Sequence, residues 1–373
     1  MKIGIDGRAA HWYRGTGIGT YTYQLINSLN TIDPINNYLI LEPDNSDKII
    51  PFKKNFSISN INANSNNSFW DKMNIPSIIN NVDMDIYHVP QNGVGLPKDL
   101  ICHKVITLHD IIPLKLPDTV GDRYLKIFND EMEGIVNSCD GIITVSEYSQ
   151  RDISKEFNYP MEKIYVTHLA AEDIYRPMDK NYCKKIIEEY YGVKEDFILY
   201  VGGFSPRKNI VGLIEAFSEL INKKHDNLKL VITGKHGKSY DIYRKRTIEL
   251  GIESSVLFPG FIPLNHMPIM YNAALCLAYP SFYEGFGLPP LECMACGTPV
   301  ISSNTTSLPE VLGDSALLIN PQDIDELYQA LVRLIDDSDL QRELINKGLE
   351  RSFEFNWNKT ALSTLSAYSS IIK

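Results

Sequence analysis

"FILYVGGFSPRKNIVGLIEAFSELINKK", Phe197 to Lys224, decides the fold. A short apolar run with β-rich composition, Phe197 to Val201, ends in Gly202 and Gly203. A polar loop carrying Arg207 and Lys208 follows, and then a stretch whose apolar residues recur at helical spacing. Strand, glycine loop and helix in that order are the repeating unit of a parallel α/β sheet. Here the unit begins near the middle of the 373 residues, after an earlier series of the same kind, so the chain starts a second sheet rather than extending the first.

Working outward, the first series is "KIGID", "YLILEP", "DIYHVP", "KVITLHD" and "GIITVS", with helical patterns such as "GTYTYQLINSL" and "SEYSQRDISKEF" between. The second continues with "LKLVITG", "SVLFPG", "ALCLAYPS" and "TPVISS", separated by helices such as "DELYQALVRLIDD". The segment "THLAAEDIYRPMDK" lacks a clear period and contains Pro177, which puts a boundary near residue 170. At a soft prior of about 150 residues per domain, two domains are expected: 1–170 and 171–355, each a Rossmann-like, doubly wound parallel sheet. No internal repeat is visible. The Asn-rich "NFSISNINANSNNSFW" reads as an exposed loop of the first domain.

Composition excludes several classes. A net charge of −10 argues against broad electrostatic binding of nucleic acid, though it leaves room for a local basic patch that meets phosphates. No apolar run approaches the roughly 20 residues that span a bilayer, and "MKIGIDGRAA" is a strand entering a glycine loop rather than a signal peptide, so a cytoplasmic location is expected. Six scattered cysteines are too few for a disulfide framework. Cys293 and Cys296 form a CxxC inside an apolar helical stretch with no ligand-spaced companions, and are expected to be packing residues. "DMD", Asp83 to Asp85, precedes a strand, whereas a metal–diphosphate ligand belongs after one; a solvated turn and no metal site are expected.

Ligands of open α/β sheets bind outside the carboxyl ends of the strands. Three loops there carry chemistry. "RGTGIGTYTYQL" offers Gly15, Gly17 and Gly19 between a strand and a helix, where backbone can approach an anion, although these alternating glycines do not match the dinucleotide motif GxGxxG. Arg207 and Lys208 at a loop-to-helix junction suit a diphosphate. "SFYEGFGLPPLECMACGTPVISS", Ser281 to Ser303, places Glu284 in a glycine loop and Glu292 in a helix that starts around Pro289–Pro290 and stops at Gly297. That helix is expected to aim N–H groups at phosphate or sugar oxygens, with Glu292 accepting the hydroxyls of a ribose diol and Glu284 facing another part of the same ligand. A glycosidase could use two carboxylates about 5–5.5 or 6.5–9.5 Å apart, but it gives Arg207, Lys208 and Gly17 no role.

The spacing of Glu284 and Glu292, with seven residues between them, resembles the EX7E motif of the family-4 retaining glycosyltransferases of GT-B architecture. "YVGGFSPRKN", "SLPEVLGDSALLINP", "TLHDIIPL" and "IITVSEYSQRDI" resemble that family in order and spacing, over nearly the whole chain. The resemblance implies two Rossmann-like domains facing a central cleft, with acceptor bound by 1–170, nucleotide sugar bound by 171–355, and a C-terminal helix, 356–373, returning to the first domain. It also implies hexosyl transfer with retention, without metal or cofactor. By position, Glu292 would bind the donor ribose and Glu284 the donor sugar. The backbone of Gly285, Phe286, Gly287 and Leu288 would hold sugar and phosphates, and Lys208 would neutralise the diphosphate. Gly17 resembles the glycine that approaches the phosphate, and His109 the histidine beside the reacting sugar. Asp110 would orient its ring or cap a turn. The family often has an arginine where Gly203 stands, which leaves Arg207's share open. Similarity to bacterial mannosyltransferases of surface-polysaccharide assembly makes GDP-mannose the first expectation as donor, a UDP-sugar the alternative, and a glycan or lipid-linked molecule the acceptor, with association at the inner membrane face open. A non-catalytic nucleotide-sugar-binding subunit is the non-enzymatic alternative.

Overall fold

The computed structural model describes residues 1–44, 49–61, 83–97, 99–235 and 239–373. Its contacts separate the chain into two compact units, residues 1–169 with 356–373, and residues 170–355.

The first unit is built on a seven-stranded parallel sheet. Its strands are β1 (Lys2–Asp6), β2 (Asn37–Pro43), β3 (Phe56–Ile61), β4 (Ile86–Val89), β5 (His103–Thr107), β6 (Gly141–Thr144) and β7 (Ile164–Val166), in the spatial order β3-β2-β1-β4-β5-β6-β7. The order reverses direction between β1 and β4, the switch point at which doubly wound sheets open a crevice for ligands. Ile3, Ile5, Ile86, Tyr87, Val105, Ile106, Ile142 and Ile143 are essentially inaccessible, as expected of strands covered on both faces. Helices start where short polar side chains satisfy first-turn N–H groups: Thr16 Oγ1 accepts from Gly19 N at 3.3 Å, and Ser146 Oγ from Ser149 N at 3.0 Å.

The chain's last helix, Trp357–Ile372, is capped by Asn356 and packs on the first unit. Its Tyr368 hydroxyl lies 2.6 Å from His88 Nδ1. His88 Nε2 meets Thr107 Oγ1 at 2.8 Å, and that hydroxyl meets Tyr21 at 2.9 Å. A buried polar chain thus pins the C-terminal helix to β4, β5 and the helix Gly17–Ile32. At Gly141 a Cβ would lie 2.5 Å from Ile371 Cδ1, so a side chain there would push the end of Ile371 aside.

The second unit holds six parallel strands: β8 (Phe197–Val201), β9 (Lys229–Thr233), β10 (Val256–Gly260), β11 (Cys276–Tyr279), β12 (Val300–Ser303) and β13 (Leu317–Ile319), ordered β10-β9-β8-β11-β12-β13. The switch point lies between β8 and β11, the two strands that lead into the Arg207–Lys208 and Glu284 loops.

The structure corrects the Asn-rich reading. Phe56–Ile61 is not loop but edge strand, paired in parallel with β2, and Phe56 stacks on Tyr38 with ring centroids 4.3 Å apart. Exposed Ser57 and Asn60 on the strand mimic loop composition. The remainder, 62–70, falls outside the described residues. Asp83 ion-pairs with Lys2 while Asp85 Oδ2 accepts from the Lys2 N–H at 2.7 Å, so both flank the start of β1. Cys293 and Cys296 are buried free thiols. Among the described residues no helix is long and apolar enough to cross a membrane, and no cluster of His, Cys, Asp and Glu could hold a metal ion.

Candidate functional site

In the second unit the chain leaves β8 through Gly202, whose φ of +155° only glycine adopts readily, and makes a short 3-10 turn at Pro206–Lys208. Across the switch point, β11 ends at Tyr279 and feeds the loop that carries Glu284. Because β8 and β11 are neighbours, Lys208 and Glu284, 76 positions apart, meet: Lys208 Nζ donates to Glu284 Oε1 at 2.6 Å and to the Tyr279 hydroxyl at 2.6 Å. Arg207 Nη1 lies 3.1 Å from Glu284 Oε2 and donates to the Tyr283 carbonyl at 2.9 Å. Burial alone would raise the Glu284 pKa, but the charges of Lys208 and Arg207 hold it down at about 2, so the carboxylate is ionised. One carboxylate thus faces two cations.

The loop is held from β12's side. Glu284 N donates to Thr306 Oγ1 at 3.2 Å, and Ser307 Oγ lies 2.9 Å from the carbonyls of both Glu284 and Phe286. Thr306 adopts φ +58°, rare for a β-branched residue and an observed strain at this site. Gly287 has φ +113°, and a Cβ there would also lie 2.7 Å from Leu308 Cδ2, so any other residue would be strained there. Helix Leu288–Ala295 starts next. Pro289 and Pro290 carry no N–H, which corrects the expectation of a donor-rich helix start: of the first three helical residues only Leu288 has one, and the loop backbone must supply the rest.

Glu292 lies on this helix, 8% exposed, and its Oε2 accepts from the Tyr271 hydroxyl at 2.9 Å. Tyr175 stands edge-on to Tyr271, ring centroids 5.7 Å apart, its phenol pushed up by burial and by the nearby Glu292 charge. Glu284 and Glu292 therefore occupy different electrostatic settings, one among cations and the other among phenols.

His109 and Gly17 belong to the first unit. His109 follows β5; its backbone N–H donates to Asn92 Oδ1 at 2.9 Å and its Nε2 lies 3.0 Å from the Pro90 carbonyl. A carbonyl can only accept, so Nε2 carries the proton and Nδ1 is left with its lone pair. Burial lowers the His109 pKa to about 4, which keeps the ring neutral near pH 7. Asp110 Oδ1 accepts from the Ile112 N–H at 3.1 Å, a turn cap. Gly17 opens the helix Gly17–Ile32, and a Cβ there would meet nothing within 4 Å, consistent with an open approach to its backbone. Gly19 is different: a Cβ would sit 1.9 Å from the Tyr13 carbonyl oxygen, so that glycine serves packing.

The sequence profile of Glycosyltransferase Family 4 matches residues 16–171, and that of Glycosyl transferases group 1 matches residues 186–351. O-antigen chain mannosyltransferase B of Escherichia coli is 34% identical over 284 residues, covering 76% of this chain and 74% of that one. The chain belongs to glycosyltransferase family 4. O-antigen chain mannosyltransferase RfbU of Salmonella typhimurium is 33% identical over 239 residues, covering 64% and 62% of the two chains. Among solved structures, sucrose-phosphate synthase from Thermosynechococcus elongatus superposes with a TM-score of 0.77 at 20% identity, covering 99% and 98%. At that identity the likeness speaks for the fold, the two-sheet GT-B architecture.

For this family-4 glycosyltransferase the structure gathers Lys208, Arg207, Glu284 and the Gly285–Leu288 backbone on the loops flanking one switch point, with Glu292 on the helix that follows. Sequence reasoning missed Tyr279, Tyr271, Thr306 and Ser307, which fix those groups in place. Tyr279 and Tyr271 read as apolar strand and helix residues. The "SLPE" segment containing Ser307 resembles the family in sequence, but nothing in that segment signals the loop contact that gives Ser307 its role.

Proposed function

We propose that this protein transfers a hexose, mannose from GDP-mannose, to a glycan or lipid-linked acceptor in surface-polysaccharide assembly, with retention at the anomeric carbon and without a metal ion. The observation that carries the reading is the convergence of Lys208 and Arg207 on Glu284 at the second sheet's switch point. Two cations against one carboxylate leave positive charge for a diphosphate, whose negative charge grows as the glycosidic bond breaks. The names of the two mannosyltransferase relatives support the choice of sugar and of an O-antigen-like acceptor.

In the reaction the bond from the sugar's anomeric carbon to the phosphate oxygen breaks and a bond from that carbon to an acceptor oxygen forms. The acceptor's proton passes to the departing phosphate, and GDP leaves. Lys208 and Arg207 stabilise the leaving group, while Glu284, ionised at neutral pH, faces the sugar as positive charge builds on its ring. Glu292, whose Oε2 accepts from the Tyr271 hydroxyl, takes the ribose hydroxyls.

The test is turnover of GDP-mannose with a mannose-terminated oligosaccharide in excess EDTA, the product anomer being read by NMR. Undiminished formation of an α-linked product is expected. Activity abolished by EDTA and restored by Mn²⁺ refutes metal independence, a β-linked product refutes retention, and turnover of UDP-sugars alone replaces the donor.

A further inference from the structure

Among the described residues, four residues other than glycine have a positive φ: Asn92 (+53°), Asn158 (+49°), Asn209 (+55°) and Thr306 (+58°). Asparagine enters the left-handed region at modest cost, because its short polar side chain can hydrogen-bond locally. A β-branched side chain has no such relief, so Thr306 is the exception in a chain that otherwise puts glycine or asparagine at these positions. Backbone strain of this kind persists where its surroundings over-determine it, and it clusters at functional sites.

Thr306 follows β12, and its Oγ1 accepts from Glu284 N at 3.2 Å. The other half of that same peptide group, the Tyr283 carbonyl, accepts from Arg207 Nη1 at 2.9 Å. One peptide group is therefore held at both ends, by a hydroxyl on one side and a guanidinium on the other. Because the group is rigid and planar, a tilt that moves the N–H also moves the carbonyl. Arg207 in turn lies 3.1 Å from Glu284 Oε2. The neighbouring hydroxyls hold other parts of the loop: Thr305 Oγ1 donates to the Phe282 carbonyl at 3.4 Å, and Ser307 Oγ lies 2.9 Å from the Glu284 and Phe286 carbonyls. Those bonds fix flanking peptide groups, whereas the Tyr283–Glu284 group is the one shared by Thr306 and Arg207.

We infer that Thr306 is a positioning residue for transfer: it sets the tilt of the Tyr283–Glu284 peptide and thereby seats Arg207 on the Glu284 carboxylate, and its left-handed backbone is the cost in stability of aiming a hydroxyl at that peptide. The β-branch that makes the conformation costly also restricts χ1, which keeps the oxygen aimed. Thr306 acts through Arg207 and Glu284 rather than on substrate. Its link to turnover rests on the glycosyl-transfer reading above.

The experiment compares Thr306→Val, Thr306→Gly and Thr306→Ser in the full chain by thermal melting, by hydrogen exchange of the Glu284 amide, and by turnover of GDP-mannose with a mannose-terminated oligosaccharide. Valine keeps the branch and removes the hydroxyl, glycine removes both, and serine keeps the hydroxyl alone. The valine and glycine variants are expected to lose kcat alike, roughly 2- to 12-fold, the equivalent of one neutral hydrogen bond, and to exchange the Glu284 amide faster. Glycine should nevertheless melt above valine, because only glycine relieves the strain. Serine should recover most of the lost kcat and of the amide protection. In an Arg207→Ala background the loss on Thr306→Gly should shrink, since the two residues act through one peptide. Native kcat in the two hydroxyl-free variants overturns the proposal. So does a serine variant as impaired as valine, a valine variant that melts at or above glycine, or an undiminished loss beside Arg207→Ala. A native protein that turns over no nucleotide sugar refutes the transfer reading instead, and the exchange and melting results then decide whether Thr306 holds the peptide under strain.

Discussion

The carboxyl-end loops of the two sheets handle charge in opposite ways. In the first unit the fully buried carboxylate of Asp6 is matched by Arg8, and two histidines are held neutral: burial lowers His109 to about 4 and, helped by the proximity of His109, His88 to about 3. In the second unit Glu284 faces both Lys208 and Arg207. A neutral environment suits a substrate whose recognition depends on hydroxyls. A site with surplus positive charge suits a leaving group that departs as a dianion or trianion. Similar switch points on similar sheets thus specialise through a few loop residues.

The contrast can be broken most severely at Lys208. Lys208→Ala removes a cation from the leaving-group site and leaves Glu284 with Arg207 alone. Transfer is expected to fall about 10²–10³-fold in kcat, as for loss of one preorganised donor. Breaking a buried pair from one side typically costs about 3–5 kcal/mol, and the retained Arg207 puts the expected loss of stability, measured by urea unfolding, at or below the low end of that range. Activity within tenfold of the native enzyme would remove Lys208 from the leaving-group site.

Acid sharpens the comparison. His88 and His109 have folded pKa values depressed below the ordinary value near 6.5, so the unfolded chain binds more protons as pH falls from about 6.5 toward 4 and 3. Stability is therefore lost in that window, by about 1.4 kcal/mol per pH unit for each histidine once below 6.5. Glu284, depressed from 4.5 to about 2, stabilises the fold above pH 4.5, and its contribution is lost only as pH falls from there through about 2. Every tryptophan (Trp12, Trp70, Trp357) lies outside residues 170–355, so tryptophan fluorescence reports the first unit. Its urea midpoint should decline between pH 6.5 and 5, and His109→Asn should flatten that decline. An unchanged slope in the variant would mean that His109 is not buried neutral.

A smaller effect is expected at Tyr279, whose hydroxyl and ring both contact Lys208, the ammonium lying 4.7 Å from the ring centroid. Tyr279→Phe keeps the ring and should lower kcat by up to about tenfold, or ~1.4 kcal/mol, with little change in donor KM. A change confined to KM would show that the hydroxyl serves binding rather than the placement of Lys208.

The parts of this arrangement that were legible in the sequence are those that depend on local order. A strand, a glycine and a pair of cations before a helix are contiguous, and so are Glu284, its glycines and Glu292. What brings Lys208 to Glu284 is the adjacency of β8 and β11, and no periodicity shows that two strands with β9 and β10 between them in sequence become neighbours. Tyr271 reaches Glu292 from another helix, so nothing in its surrounding sequence distinguishes it from a core residue. The edge strand β3 was hidden for a different reason: solvent covers part of an edge, and Ser57 and Asn60 carry no strand signature.

The central claim, that Glu284 belongs to the sugar end of a donor whose diphosphate meets Lys208 and Arg207 while Glu292 belongs to its ribose end, is tested most directly by calorimetry of GDP with Glu284→Gln and Glu292→Gln. Glu292→Gln should weaken GDP by roughly 1.5–3 kcal/mol, the value of a hydrogen bond to a charged group. Glu284→Gln frees two cations from their carboxylate, so GDP affinity should be unchanged or tighter while kcat for transfer collapses. Equal weakening of GDP by the two variants would contradict the account.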